Sequence, residues 1–192
     1  GKLLLTGGAD QKIHVWYATT GQAVETVGGH AGAITSLSVS PSGVVLSGGA
    51  DKLAAAWDIS PGWSAAGQLG PQADKPLELS TSPFVSRVLS IDFSHDGKML
   101  VTGGGDPSRS GELMIWDVAK KTLIREIKDA HSDTIFGAEF SRDGKKLLSG
   151  AADKFVKIFD VVSGKHIRSF EGHTHHVLDV SWKADNASIA SA

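Results

Sequence analysis

Residues 12–16 read Lys-Ile-His-Val-Trp, apolar at every second position, and Ala33 to Val39 alternates in a similar way. A period of two is what a half-buried strand requires, because successive side chains leave a pleated backbone on opposite faces. The runs are short. Between them lie Pro41-Ser42-Gly43, His95-Asp96-Gly97, Arg142-Asp143-Gly144 and Ala184-Asp185-Asn186. Each ends in Gly or Asn, the residues that accept the left-handed conformation of a tight turn. The pattern predicts an all-β fold built of hairpins.

The hairpins belong to a repeat. Residues 29–60 open with Gly29-His30, carry Ser47-Gly48-Gly49-Ala50-Asp51 in the middle and close with Trp57-Asp58. The same small-residue turn ending in Asp recurs at Thr6 to Asp10, Thr102 to Asp106 and Ser149 to Asp153, and an aromatic follows each, at Trp16, Trp57, Trp116 and Phe159. The aromatics are spaced 41, 59 and 43 residues apart. Fixed-period similarity of this kind marks a repeat architecture.

The long middle interval locates two insertions. Aligned on Val39, Phe93, Phe140 and Trp182, the opening His lies nine positions earlier at His30, His131 and His173, but that place is Phe84 in the remaining unit. Trp57 to Phe84 is 27 residues, where Trp16 to His30 is 14. The stretch around Pro61 to Pro83 is rich in Pro, Gly and Ser and reads as a loop. In the same unit Asp106 to Trp116 spans 10 positions against six elsewhere, with the extra residues in Asp106 to Gly111.

With Gly29-His30, Gly172-His173, Trp57-Asp58 and Trp116-Asp117 in register, the chain resembles the WD40-repeat β-propeller family. The resemblance implies about four four-stranded blades, an open arc of a seven- or eight-bladed ring. The implied domain is 1–192: an incomplete blade at 1–28, blades at 29–70, 84–129 and 130–171, a loop insertion at 71–83 and an incomplete blade at 172–192. Because an open arc would leave two apolar faces uncovered, the chain is expected to be a fragment of a longer protein. Two chains completing one ring, or a small closed ring, are the other arrangements.

The resemblance also gives the polar marks a role. Asp orients His, His reaches the hydroxyl, and the hydroxyl reaches the indole N–H. The implied structural series is His30, Ser47, Asp51 and Trp57. It is partial in Thr102, Asp106 and Trp116, which lack the His, and in His131, Ser149 and Asp153, where Phe159 has no donor. His173 opens the last unit. A Ser-His-Asp set also invites a hydrolase reading, but a set repeated in successive units does not make one active site.

Composition narrows the function. The formal net charge is -2, which gives no basic footprint for nucleic acid. There is no Cys, so neither disulfides nor thiolate metal sites form within the chain. No apolar run is long enough for a membrane span. His173, His175 and His176 do not amount to a metal site without further ligands, and no Gly-rich turn has the spacing of a phosphate cradle. No catalytic residue, metal or cofactor is assigned.

Function is expected where the chain departs from its repeat. Both insertions are expected on one rim, Pro71 to Pro83 and Asp106 to Gly111 together forming a raised docking feature with Arg87 and Arg109 as charged contacts. Asp133, Thr134, His175 and His176 follow the opening His of their units onto the same rim. The expected function is a non-catalytic scaffold whose rim binds a protein or peptide. The runs GDPSRSGELMIWDV, DAHSDTIFGAEFS and EGHTHHVLDVSWKAD also resemble bacterial, planctomycete-like WD40 regions attached to c-type cytochrome domains. That resemblance implies an accessory electron-transfer role, a haem domain elsewhere in the parent polypeptide and a periplasmic rather than cytoplasmic location.

Overall fold

The structure, a computed structural model, describes residues 2–41, 43–58, 64–70 and 82–192. These residues form strands and no helix. The first sheet holds β1 (Leu3–Gly7), β2 (Lys12–Tyr17) and β3 (Ala23–Gly28). The second holds β4 (Ile34–Val39), β5 (Val45–Gly49), β6 (Ala54–Asp58) and β7 (Ser64–Gln68). The third holds β8 (Arg87–Phe93), β9 (Met99–Asp106), β10 (Ser110–Asp117) and β11 (Thr122–Glu126). β12 (Ile135–Phe140), β13 (Lys146–Ala151), β14 (Val156–Asp160) and β15 (His166–Phe170) make the fourth, and β16 (Val180–Trp182) with β17 (Ile189–Ser191) the fifth. Every sheet is an antiparallel meander, and the first strands of successive sheets, β4, β8, β12 and β16, pack in turn against one another.

Hairpin chemistry follows the turn residues. Gly43, Gly97, Gly144 and Asn186 all take positive φ. The glycines that precede each turn Asp have another reason, however. Gly7, Gly48, Gly103 and Gly150 lie within strands β1, β5, β9 and β13, not in turns. A Cβ at these positions would stand 2.5 Å from Ile34, 2.5 Å from Val88, 2.9 Å from Ile135 and 2.6 Å from Val177. Ile34, Val88 and Ile135 belong to the first strand of the next sheet, and Val177 to the segment leading into it. Glycine therefore lets a branched side chain of one sheet lie directly on the backbone of its neighbour.

Buried apolar side chains gather at the four junctions between sheets. Ile13, Ile34 and Trp57 fill the first, and Leu46, Val88, Leu100 and Trp116 the second. Leu113, Ile115, Ile135 and Phe159 fill the third, and Leu148, Val177 and Val180 the last. The core is thus a series of seams, since no single sheet can cover its own faces.

The loop expected over 61–83 needs correction in its first part. Ser64–Gln68 is β7, which pairs with β6 through Ala55 with Gln68 and Ala56 with Gly67 and completes the second sheet. Its small residues show no alternation, and pairing to the open edge of β6 is what makes it a strand. Trp63 and residues 71–81 lie outside the described residues. The insertion at Asp106 to Gly111 extends a hairpin: Ser110 pairs with Asp106 and Gly111 with Gly105, so β9 and β10 are eight residues each.

Candidate interaction rim and the polar series beneath it

In the second sheet four residues meet in the order the sequence suggests. His30 Nδ1 stands 2.9 Å from Asp51 Oδ2, His30 Nε2 2.7 Å from Ser47 Oγ, and Trp57 Nε1 donates to Ser47 Oγ at 2.7 Å. Asp51 also accepts the amides of Ala31 and Leu53 at 2.8 and 3.2 Å. Burial alone would raise its carboxyl; the His30 bond and charge and the two amides outweigh that and hold it below the ordinary value. Two glycines make the room. A Cβ on Gly29 would meet the Trp57 ring at 2.6 Å, and one on Gly49 would meet His30 Nδ1 at 2.5 Å.

The other sheets vary this arrangement. His131 Nδ1 lies 2.9 Å from Asp153 and its Nε2 2.8 Å from Ser149 Oγ, while Phe159 offers no donor. Burial pushes the His131 imidazole below its ordinary value despite the opposing pull of Asp153. In the third sheet Trp116 Nε1 donates to Thr102 Oγ1 at 2.9 Å, and Phe84 packs on the Trp116 ring with centroids 5.4 Å apart. Asp106 takes no part there. It turns to the surface and pairs with Arg109 at 3.2 Å.

In the first sheet Trp16 donates to Thr6 at 2.9 Å and Asp10 binds His14 at 2.6 Å, a substitute partner not anticipated from the sequence. His173 reaches Ser191 at 2.8 Å. As for hydrolysis, the Ser47 and Ser149 hydroxyls belong to fully buried residues already held by His, and by Trp57 in the first case. Neither hydroxyl can meet an external carbonyl.

On the rim, Arg87, Asp133, Thr134 and His176 come together around a cavity of about 200 Å³, with Leu89, Pro107 and Phe136 in its wall. These side chains come from three successive sheets. The register of β8 on β9 shifts between Val88 and Ser90, and that of β12 on β13 between Ile135 and Gly137. Bulges of this kind re-aim a side chain. They put Leu89 and Phe136 on the cavity, and simple alternation gives no hint of it. His176 stacks on Phe136 with ring centroids 5.9 Å apart and planes at 26°.

Arg109 stands elsewhere, on a wider cleft of about 540 Å³ shared with His131, Asp153 and Lys157. His175 is exposed and borders neither space. The lengthened hairpin separates the two. It is tied to the next sheet where the Ser108 amide donates to Asp133 at 2.7 Å and the Gly111 amide to the His131 carbonyl at 3.1 Å. Among the described residues no group of three or more His, Cys, Asp or Glu is placed to hold a metal ion.

Comparison with known proteins agrees with the repeat. The "WD domain, G-beta repeat" family matches residues 21–58 and 79–117, and the "Anaphase-promoting complex subunit 4 WD40 domain" family matches residues 108–185. The chain is 31% identical over 192 residues to periodic tryptophan protein 2 homolog of Schizosaccharomyces pombe, an alignment covering 89% of this chain and 20% of that protein. It is 29% identical over 205 residues to eukaryotic translation initiation factor 3 subunit I of Neurospora crassa, covering 100% of this chain and 54% of that one. A third relative, protein HIRA of Dictyostelium discoideum, is 28% identical over 127 residues, covering 54% of this chain and 11% of the relative. The chain thus spans from about a tenth to about half of these relatives. Its all-β meander sheets are WD40 propeller blades in form, and the matches support placing it among the WD40-repeat proteins.

Proposed function

We propose that the chain is a non-catalytic scaffold holding a protein or peptide partner on the rim where Arg87, Asp133, Thr134 and His176 converge. The observation that carries this reading is that convergence itself, side chains from three sheets around one cavity above tightly packed seams. A rigid scaffold that presents loop residues at a shared edge is a frequent recognition device. Two names among the matches, a subunit of the anaphase-promoting complex and a subunit of a translation initiation factor, are those of parts of larger assemblies. The His, hydroxyl, Asp and Trp series, in this reading, fixes the blades beneath the site and takes no part in contact.

The accessory role beside a c-type cytochrome domain finds no support in the eukaryotic relatives. A CxxCH motif and an export signal in the parent polypeptide would restore it. Among the described residues no helix is long and apolar enough to cross a membrane.

Site-specific photocrosslinking tests the scaffold. A crosslinkable residue at Ser86 or His175 is expected to trap protein partners, while one at Lys98 or Lys145, in the hairpins at the other end of the strands, is not. Crosslinks from the hairpins alone would overturn the assignment to this rim.

A further inference from the structure

The cavity between the third and fourth sheets specifies the partner's chemistry as well as its place. Its volume of about 200 Å³ is below the roughly 300 to 1,000 Å³ of small-molecule sites and suits a single side chain. Leu89, Pro107 and Phe136 line it, and the His176 ring extends the Phe136 face outward. Thr134 stands in the same wall, its side chain beside the Asp133 carboxylate.

The charges around this cavity are unequal in what they offer to solvent. Asp106 is occupied by Arg109, and Asp133 accepts the amides of Ser108 and Thr134. Arg87, which lines the cavity, has no such partner: it is exposed and forms no ion pair among the described residues. An exposed guanidinium without an ion-pair partner among the described residues thus stands beside an apolar cavity.

We infer that the cleft takes an extended acidic peptide, one apolar side chain of which enters the Leu89, Pro107 and Phe136 cavity while a neighbouring carboxylate meets Arg87. The inference rests on the rim reading above and adds the partner's chemistry to it. The guanidinium can hold a carboxylate in a two-pronged bond, an attraction that salt screens.

Selection from a random dodecapeptide library on the immobilised protein, repeated on Arg87→Glu, tests it. The expected consensus places Asp or Glu beside an aromatic or aliphatic residue. A synthetic peptide of that consensus should lose about tenfold or more in affinity on Arg87→Glu, as at an interface hot spot, and should weaken as salt rises. Phe136→Ala should weaken it as well, and circular dichroism of both variants shows that the fold is kept. A basic or uncharged consensus, an acidic one indifferent to Arg87→Glu, or no enrichment overturns the inference. If rim crosslinks to proteins persist in that event, the scaffold reading stands and only the acidic partner falls; if they are missing too, both fall.

Discussion

The second and third sheets carry a Trp at equivalent positions, each in the seam with the preceding sheet, and support it in different ways. In the second, Trp57 is bonded to a hydroxyl that His30 and Asp51 hold in place; in the third, Trp116 has its hydroxyl from Thr102, and Phe84 occupies the His position. What the two share is a satisfied indole N–H in a buried place. The His and Asp form an additional tier that an aromatic ring can replace, provided the carboxylate leaves as well. In the third sheet it has left: Asp106 sits at the base of the lengthened hairpin and faces solvent with Arg109.

Removing His30 should separate the two solutions most sharply. His30→Ala strands the Asp51 carboxylate in a buried site, and the loss of one partner of such a pair costs about 3 to 5 kcal/mol, measurable by urea denaturation. His30→Phe combined with Asp51→Ala copies the third sheet and should recover much of that loss. The reverse change, Phe84→His alone, should destabilise, because no carboxylate waits there.

A second contrast lies on the first strands, where Asp92 in the third sheet stands at the position of Ser38 in the second. Asp92 accepts the Phe140 amide across the seam at 3.1 Å. Burial first, and the nearby Glu139 charge second, push its carboxyl up from 3.8 to about 6, against the pull of the Phe140 and Phe93 amides. The folded state therefore holds this proton more tightly than the unfolded chain, and the contribution of Asp92 to stability declines as pH rises from about 4 to about 6. Asp92→Asn keeps an acceptor for the Phe140 amide, and its advantage should be absent near pH 4 and reach up to about 3 kcal/mol near pH 7.

His131 gives the opposite sign. Its imidazole is held below the ordinary value, so its contribution is present above pH 6.5 and is lost as pH falls below that value. A denaturation series across pH in His131→Gln should lose this acid-side slope.

Thr102→Val should cost about 1 to 3 kcal/mol, since it leaves the Trp116 N–H buried without an acceptor. The smallest effect is expected at Arg109. Its pair with Asp106 is largely exposed, so Arg109→Ala should change stability by no more than about 0.5 kcal/mol. A larger loss would show that the pair supports the hairpin.

Much of the architecture was legible because the marks are local. Alternation gave strands such as Lys12 to Tyr17, and the final Gly or Asn of each hairpin gave its left-handed turn. β7 was not legible, since Ser64 to Gln68 becomes a strand only through the edge it completes. The glycines at 48, 103 and 150 were visible, but their reason lies in another sheet and could not be read along one. At the rim, Asp133, Thr134 and His176 were reached by counting positions after each opening His, and Arg87 by counting from Phe84. Leu89 and Phe136 did not, because a bulge breaks the count. His14 as the partner of Asp10 was missed for a related reason: it sits four residues along the chain in a strand, outside any repeated mark.

The bare glycine backbone of one sheet and the branched side chain resting on it amount to a plug and a socket. Each unit carries a socket on one flank and a plug on the other, so any unit can follow any other without new carpentry at the joint. Gene duplication could lengthen such an array at little structural expense. Change is then free to accumulate at the rim, where a longer hairpin sets one joint apart from its neighbours in shape.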